Sequence, residues 1–277
     1  MTKTILLTGA TDGIGLEAAK RLVAAGHTVL LHGRSTEKLA TAVATVNAVA
    51  SGVSITTYRA DLSDLREVQA LAQQVQSDGH RLDAIINNAG VFKTSTTTTA
   101  AGLDTRFVVN TIAPYLLTAL LLPSLADGGR VVNVSSAAQA SVDLAALRGE
   151  RRLGDSEAYA QSKLAITMWT RHLAAQLGSN GPVIVAVNPA SLLGSKMVQE
   201  AYGIAGGDIG VGADMLIEAA LSPRFAEATG QYYDNDNRVF ADPHRDALDA
   251  TKNAALVDAI EGLIGAAGID LAPASYS

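Results

Sequence analysis

The stretch Thr4-Ile-Leu-Leu-Thr8-Gly9-Ala-Thr-Asp12-Gly13-Ile14-Gly15 decides how the chain is read. Thr4 to Thr8 is a short apolar run that ends in glycine, the pattern of a buried strand. Beyond Gly15, residues Leu16, Ala19, Leu22 and Val23 recur at helical spacing. A glycine-rich turn between strand and helix lets backbone amides close on an anion at the helix N-terminus, because no Cβ stands in the way. The spacing is Gly-x3-Gly-x-Gly, not the commoner Gly-x-Gly-x2-Gly. A glycine turn alone is weak evidence, and its weight comes from the strand before it and the helix after it. Gly9, Thr11, Asp12, Gly13, Ile14 and Gly15 are therefore candidate pyrophosphate-binding residues.

The same alternation continues downstream. Strands are expected at 28–32, 54–58, 83–87, 129–135 and 182–187, with helices at 36–50, 63–77, 101–122 and 157–177 between them. Alternating strands and helices with short links predict an α/β domain, a doubly wound parallel sheet of about seven strands with helices on both faces. Gly230-Gln-Tyr-Tyr-Asp234 supplies the last strand and 243–263 a closing helix, and the tail 266–277 is expected to be loose. With no internal repeat and no linker, residues 1–277 read as one domain.

Ligands of such sheets lie beyond the carboxyl ends of the strands. This makes Asp61-Leu62, Asn87-Asn88-Ala89-Gly90 and Ser135-Ser136 candidate sites. Asp61 either faces the ligand or caps the helix near Ser63. In a dinucleotide site, an acidic residue about 20 positions after the glycines binds the ribose 2′-hydroxyl, whereas an arginine accommodates a 2′-phosphate. No Asp or Glu lies between Glu17 and Glu37, and Arg34 stands there with Lys38 one turn on. NADP(H) rather than NAD(H) is the inference; the plainer alternative is a solvated arginine. Asp12 beside the phosphates opposes the inference mildly.

Tyr159-Ala-Gln-Ser-Lys163 places a phenol and an ammonium one helical turn apart. A nearby ammonium favours the phenolate and lowers a pKa that starts near about 10, so the tyrosine can donate and accept a proton near neutrality. Alone, the pair reads as an exposed helix pair until other residues converge on the same place. Asn110 lies in an apolar helix four residues before Pro114, which has no N–H for the Asn110 carbonyl, so a kink is expected there. The Thr-rich run 94–99 reads as a polar loop that caps the next helix. Residues 137–155 read as an insertion on the ligand side. Residues 191–211, with Leu192, Leu193, Met197, Tyr202 and Ile204, read as a substrate lid or an ordinary surface loop.

The chain is 48 % apolar with a net charge of −6, and its basic residues are scattered, which argues against nucleic acid as a partner. The absence of cysteine excludes disulfides, thiolate zinc sites and a cysteine nucleophile. Five histidines without ligand spacing predict no metal site. The N-terminal apolar run is too short for a signal peptide, and 115–125 is too short to span a bilayer, so a soluble, cytoplasmic protein is expected.

Together, Thr8-Gly9-x3-Gly13-Ile14-Gly15, Asp61-Leu62, Asn87-Asn88-Ala89-Gly90, Asn110, Ser136 and Tyr159-x3-Lys163 resemble the short-chain dehydrogenase/reductase family, in the family's order. The resemblance covers about residues 3 to 195. Arg130 to Ser136, Ala158 to Leu164 and Gly230-Gln-Tyr-Tyr look closest to the branch of retinol dehydrogenases and protochlorophyllide reductases. The resemblance implies a single-domain Rossmann fold and hydride transfer between NADP(H) and a small carbonyl or alcohol, of apolar character if Phe92, Leu192, Leu193 and Met197 line its pocket. It implies Tyr159 as proton donor, Lys163 on the nicotinamide ribose, Ser136 on the substrate oxygen with Ser135 as the alternative, and Asn110 holding a relay water. Asp61 and Leu62 would lie near the adenine, Asn88, Ala89 and Gly90 would line the cofactor, and Pro189 and Leu192 would flank the nicotinamide. Two departures stand out: Pro189-Ala190 where the family has Pro-Gly, and Gly194 where a threonine is usual. Relatives are often dimers or tetramers through the Asn110 and Tyr159 helices, a surface that the 137–155 insertion would obstruct; a monomer is equally open. Other classes are a cofactor-binding regulator without catalysis, for which the complete set Asn110, Ser136, Tyr159 and Lys163 has no use, and a nucleotide-sugar epimerase or dehydratase, which usually carries a larger C-terminal domain.

Overall fold

Along each strand, alternate side chains go to opposite faces of one sheet. Leu6, Ile85, Val131 and Ile184 enter one core, and Leu7, Ile86, Val132 and Val185 enter the other. The structure is a computed structural model that describes residues 1–50 and 55–271. The chain runs β1 (Thr4–Leu7), α1 (Gly13–Ala24), β2 (Thr28–Gly33), α2 (Thr36–Asn47), β3 (Ile55–Arg59), α3 (Leu65–Ser77) and β4 (Leu82–Asn87). It continues with α4 (Thr105–Phe107), a π-helical turn, α5 (Ala113–Leu121), β5 (Leu125–Val134), α6 (Leu144–Leu147), α7 (Asp155–Leu177) and β6 (Val183–Asn188). The last elements are α8 (Lys196–Tyr202), α9 (Ile209–Leu221), β7 (Tyr232–Asp234), β8 (Val239–Ala241) and α10 (Ala250–Ala266).

Strand order is β3-β2-β1-β4-β5-β6-β7-β8. β3 to β7 pair in parallel, with Leu6 opposite both Leu30 and Ile85. The order reverses between β1 and β4, and that switch point opens a crevice at the strands' carboxyl ends. Helices α3, α5 and α7 cover one face, and α1, α2 and α9 the other.

The sheet has one strand more than expected. β8 is antiparallel to β7, with Tyr233 opposite Phe240, and returns the chain at the sheet edge. Three residues with two exposed apolar side chains carry no strand pattern, so the periodicity could not show it. The expected start of β3 at 54 and the end of the tail, 272–277, lie outside the described residues. The rest of the tail is not loose throughout, since Ile269 is buried at the core.

The 101–122 helix differs most from expectation. Pro114 has no N–H to return to Asn110. The helix answers by widening into a π turn over Val108–Ile112, in which the Ala113 N–H donates to the Val108 carbonyl, rather than by a simple kink. Its N-cap is Asp104, which accepts from the Arg106 N–H, not a threonine of the 94–99 run. The joined helical stretch Thr105–Ser124 is 20 residues, long and apolar enough to cross a membrane, which corrects the reading of this segment as too short. In this fold it is the central core helix, with Phe107, Ile112, Leu116 and Leu117 all buried.

The 137–155 insertion packs inward as well. Ala146 and Leu147 join the core beside α10, whose Leu256, Ile260 and Ile264 pack with Met168, Trp169 and Leu173 of α7. The Tyr115 hydroxyl of α5 donates to Glu261 of α10 at 2.5 Å. α10 thus covers a face of α7, and the Tyr115–Glu261 bond ties α5 to the same helix. Truncating Ile260 to alanine is expected to cost about 2–5 kcal/mol of unfolding free energy. An unchanged urea midpoint would show that α10 does not contribute to the core.

Candidate active site

The carboxyl ends of the strands enclose one cleft of about 960 Å³. Its walls include Gly9, Thr11, Asp12, Gly13, Ile14, Gly15 and Arg34 at one end, Asp61, Leu62, Asn88, Ala89 and Gly90 along the middle, and Ser136, Tyr159, Lys163, Pro189 and Leu192 at the other. Of the candidate site residues, Asn87 and Asn110 lie behind the wall, and the Asn87 amide is bonded to Thr118 and Asn133.

The glycine turn is shaped by close approach. Gly9 has φ of +65°, and a Cβ on it would stand 2.8 Å from the Ala89 Cα. Asp12 caps α1 and accepts from the Gly13 N–H at 2.7 Å, so its carboxylate is engaged with the turn itself. Asn88 faces the cleft, but its amide donates to the carbonyls of Thr8 (2.9 Å) and Gly9 (3.2 Å). The Thr8 hydroxyl in turn accepts from the N–H groups of Asn88 and Ala89.

At the β2 end, Arg34 is exposed, and neither its side chain nor that of Lys38 has an ion-pair partner among the described residues. Asp61 is not the cap of α3, which is Asp64; it accepts from the N–H and hydroxyl of Ser63 in a local turn.

Tyr159 and Lys163 lie on the first turns of α7. Lys163 is buried, and its ammonium donates to the Val134 carbonyl at 2.7 Å and lies 5.7 Å from the centre of the Tyr159 ring. Burial pushes its pKa down to about 8. The two serines separate cleanly. Ser135 is buried, and its hydroxyl bonds the Lys163 carbonyl and the Thr167 hydroxyl. Ser136 is half-buried in the cleft wall, and its hydroxyl oxygen accepts from the Ala138 N–H, which leaves its hydrogen to donate. Both amide hydrogens and the oxygen of the Asn110 side chain are engaged. Its side-chain oxygen accepts from the Val91 N–H, and its amide donates to the Val91 carbonyl and the Ser162 hydroxyl.

The 191–211 stretch is pinned at its base. The Gly194 N–H donates to the Gly207 carbonyl at 2.7 Å, and the Gly207 N–H to the Leu192 carbonyl at 2.8 Å. A Cβ on Gly194 would stand 2.8 Å from the Gly207 oxygen, which is why a threonine cannot occupy this position. Phe92, Leu192, Leu193 and Met197 all line the cleft, and the Phe92 ring lies 4.7 Å from that of Tyr159. The 137–155 insertion contributes only Ala138 to the cleft walls, which corrects its placement on the ligand side. The threonine loop is a wall instead: Thr94, Thr96, Thr98 and Thr99 line the outer end, a placement its composition did not reveal.

His32 was also missed. It is buried, its Nδ1 accepts from the Gly9 N–H at 3.3 Å, and its Nε2 meets the Ala60 carbonyl at 3.0 Å. That pairing requires the neutral ring with its proton on Nε2. Burial lowers its pKa to about 4, against the opposing pull of the Ala60 carbonyl and the Asp61 charge. The only sequence signal was a polar residue at the end of an apolar strand. Because the folded pKa lies below the unfolded value, stability is complete above about pH 6.5 and falls, by roughly 3 kcal/mol, as pH drops toward 4. His32→Gln should flatten this fall in urea titrations across that range. Parallel curves for both proteins would exclude His32 as its source.

The family model for short chain dehydrogenases matches residues 3–202. Mouse (Mus musculus) retinol dehydrogenase 12 is 31 % identical over 251 residues, covering 86 % of this chain and 79 % of that protein. The crystal structure of an uncharacterized protein from Mycobacterium paratuberculosis is 28 % identical and superposes with a TM-score of 0.79, covering 98 % of this chain and 95 % of that one. A short chain dehydrogenase from Shigella flexneri, solved in complex with NADP, is 26 % identical with a TM-score of 0.69, covering 84 % and 97 %. With the glycine turn, the Tyr159–Lys163 pair and the sheet order described above, this chain belongs to the short-chain dehydrogenase family of oxidoreductases.

Proposed function

We propose that the protein is an NADP(H)-dependent oxidoreductase that interconverts a carbonyl and an alcohol, with Tyr159 as general acid and base. The observation that carries this reading is the presence of Ser136, Tyr159 and Lys163 in the same cleft as a glycine cradle and an unpaired Arg34. The cradle fits a dinucleotide: Gly9, Gly13 and Gly15 line the cleft at the N-terminus of α1, where a helix end favours a phosphate. No carboxylate lies between Glu17 and Glu37, and Arg34 and Lys38 have no ion-pair partner among the described residues, which favours a 2′-phosphate over a bare ribose. The NADP bound by the Shigella flexneri relative supports the same choice.

A bound nicotinamide supplies or accepts the hydride. The protein's part is to hold the substrate oxygen and move a proton. Ser136 donates its free hydrogen to the carbonyl oxygen, and Tyr159 delivers the proton to that oxygen during reduction. Lys163, charged below about pH 8, favours the phenolate that Tyr159 leaves behind. Asn110 and Ser162 brace this turn of α7, since the Ser162 hydroxyl donates to the Tyr159 carbonyl at 2.7 Å. Phe92, Leu192 and Met197 present an apolar wall, which suits an apolar substrate.

Tyr159→Phe should retain NADPH binding and lose about 10²–10⁴-fold in turnover, read as NADPH oxidation over a panel of aldehydes, ketones and quinones. Full turnover in that variant would remove Tyr159 from the chemistry. Arg34→Ala should weaken NADPH by about tenfold or more, the loss of a charged hydrogen bond, and leave NADH nearly unchanged. Equal losses for both cofactors, measured by fluorescence titration, would show that Arg34 does not read the 2′-phosphate.

A further inference from the structure

Ala190 has φ of +126°, a backbone conformation that side chains other than glycine's rarely tolerate. Two residues on, Leu192 has φ of +52°. Such strain persists only where the surroundings over-determine it. Here the restraint comes from the turn between β7 and β8. The Asn235 amide donates to the Pro189 carbonyl at 2.9 Å. Asp236 accepts from the Ser191 N–H at 2.8 Å, from the Ser191 hydroxyl at 2.5 Å and from the Asn188 amide at 2.9 Å. The peptide units on both sides of Ala190 are thus held by two consecutive side chains about 45 positions further along the chain.

The turn is itself braced. Phe225, Tyr233 and Phe240 form a triangle of rings with centroids 5.1 Å apart, and the Arg224 guanidinium lies 4.8 Å from the Tyr233 ring. The Tyr232 hydroxyl, at the start of β7, donates to the Ser136 carbonyl at 3.1 Å. Burial opposes the charge on Asp236, but the bonds from Ser191 and Asn188 more than offset it, so the carboxylate stays ionised at neutral pH.

Sheet order assigns the loop to one half of the cofactor. Arg34 follows β2 and Pro189 follows β6, with β1, β4 and β5 between them. Four strand spacings separate the two ends, about 19 Å. Arg34 therefore serves the adenosine half, and the Pro189–Leu192 loop, on the Tyr159 side, serves the other. We propose that Asn235 and Asp236 are positioning residues that hold the strained Pro189–Leu192 loop in the shape that receives the nicotinamide half of the cofactor. The inference rests on the reading of the cleft as an NADP(H) site.

The test compares two ligands by calorimetry: NADPH, and adenosine 2′,5′-bisphosphate, which has no nicotinamide half. Asp236→Ala should weaken NADPH about tenfold and leave adenosine 2′,5′-bisphosphate within about twofold. Adding Ala190→Gly to that variant should recover most of the lost NADPH affinity, because glycine adopts the same backbone conformation unaided. Loss of fold alone would weaken both ligands and would not be rescued at position 190. Ser191→Ala, which removes one of the three bonds to Asp236, is the milder variant and should shift NADPH alone in the same direction. Equal losses for the two ligands, no loss for either, or no recovery with Ala190→Gly would each overturn the positioning role while leaving the cofactor reading intact. A wild-type protein that binds neither ligand would overturn both.

Discussion

The adjacent ends of β1 and β4 cannot separate, and the rest of the site follows from that. Thr8 and Asn88 knit the two strand ends by five hydrogen bonds between side chain and main chain. Gly9 lies so close to Ala89 that no side chain fits between them. This junction lies at the one point where the sheet reverses direction, so the crevice is built into the topology and the junction gives it a fixed floor. His32 extends the same floor sideways by linking the glycine turn to the end of β3. A charged histidine would present a donor to the Gly9 N–H, which makes the neutral ring part of the turn's construction.

Much of this was legible in the chain. Strand positions followed from short apolar runs, and the cleft from the residues that ended them. Gly9, Asn88, Ser136, Tyr159 and Lys163 all reach the same end of the sheet because parallel strands carry their carboxyl ends to one side. What was not legible depended on partners distant in sequence. Nothing near Asp236 announces Ser191, and nothing near Ala190 shows that its conformation is held from the far end of the sheet. The π turn was half visible: Pro114 identified where the helix would be disturbed, but whether a helix kinks or widens depends on what packs around it. The insertion was misplaced for a related reason, because its mixed composition hid the few apolar residues, Ala146 and Leu147, that reach the core.

The two departures from the family pattern have opposite physical causes. At Gly194 a side chain is excluded, because main chain from 205–207 runs directly against it. At Ala190 a side chain is present where the backbone conformation disfavours one, and neighbouring bonds hold the loop in place. One is a requirement of packing and the other a strain carried by the surroundings. Both lie in the stretch after β6 that lines the cleft through Ala190, Leu192 and Leu193, so its shape is determined by contacts rather than by the intrinsic preference of the loop.

The covering of α7 by α10 bears on how the folded state responds to dilution. When a second copy covers an apolar face, folding and association are linked, and the melting temperature rises with protein concentration. Here the covering helix belongs to the same chain and cannot diffuse away. α7, which carries Tyr159 and Lys163 on its first turns, takes its packing along that face from α10 of the same chain.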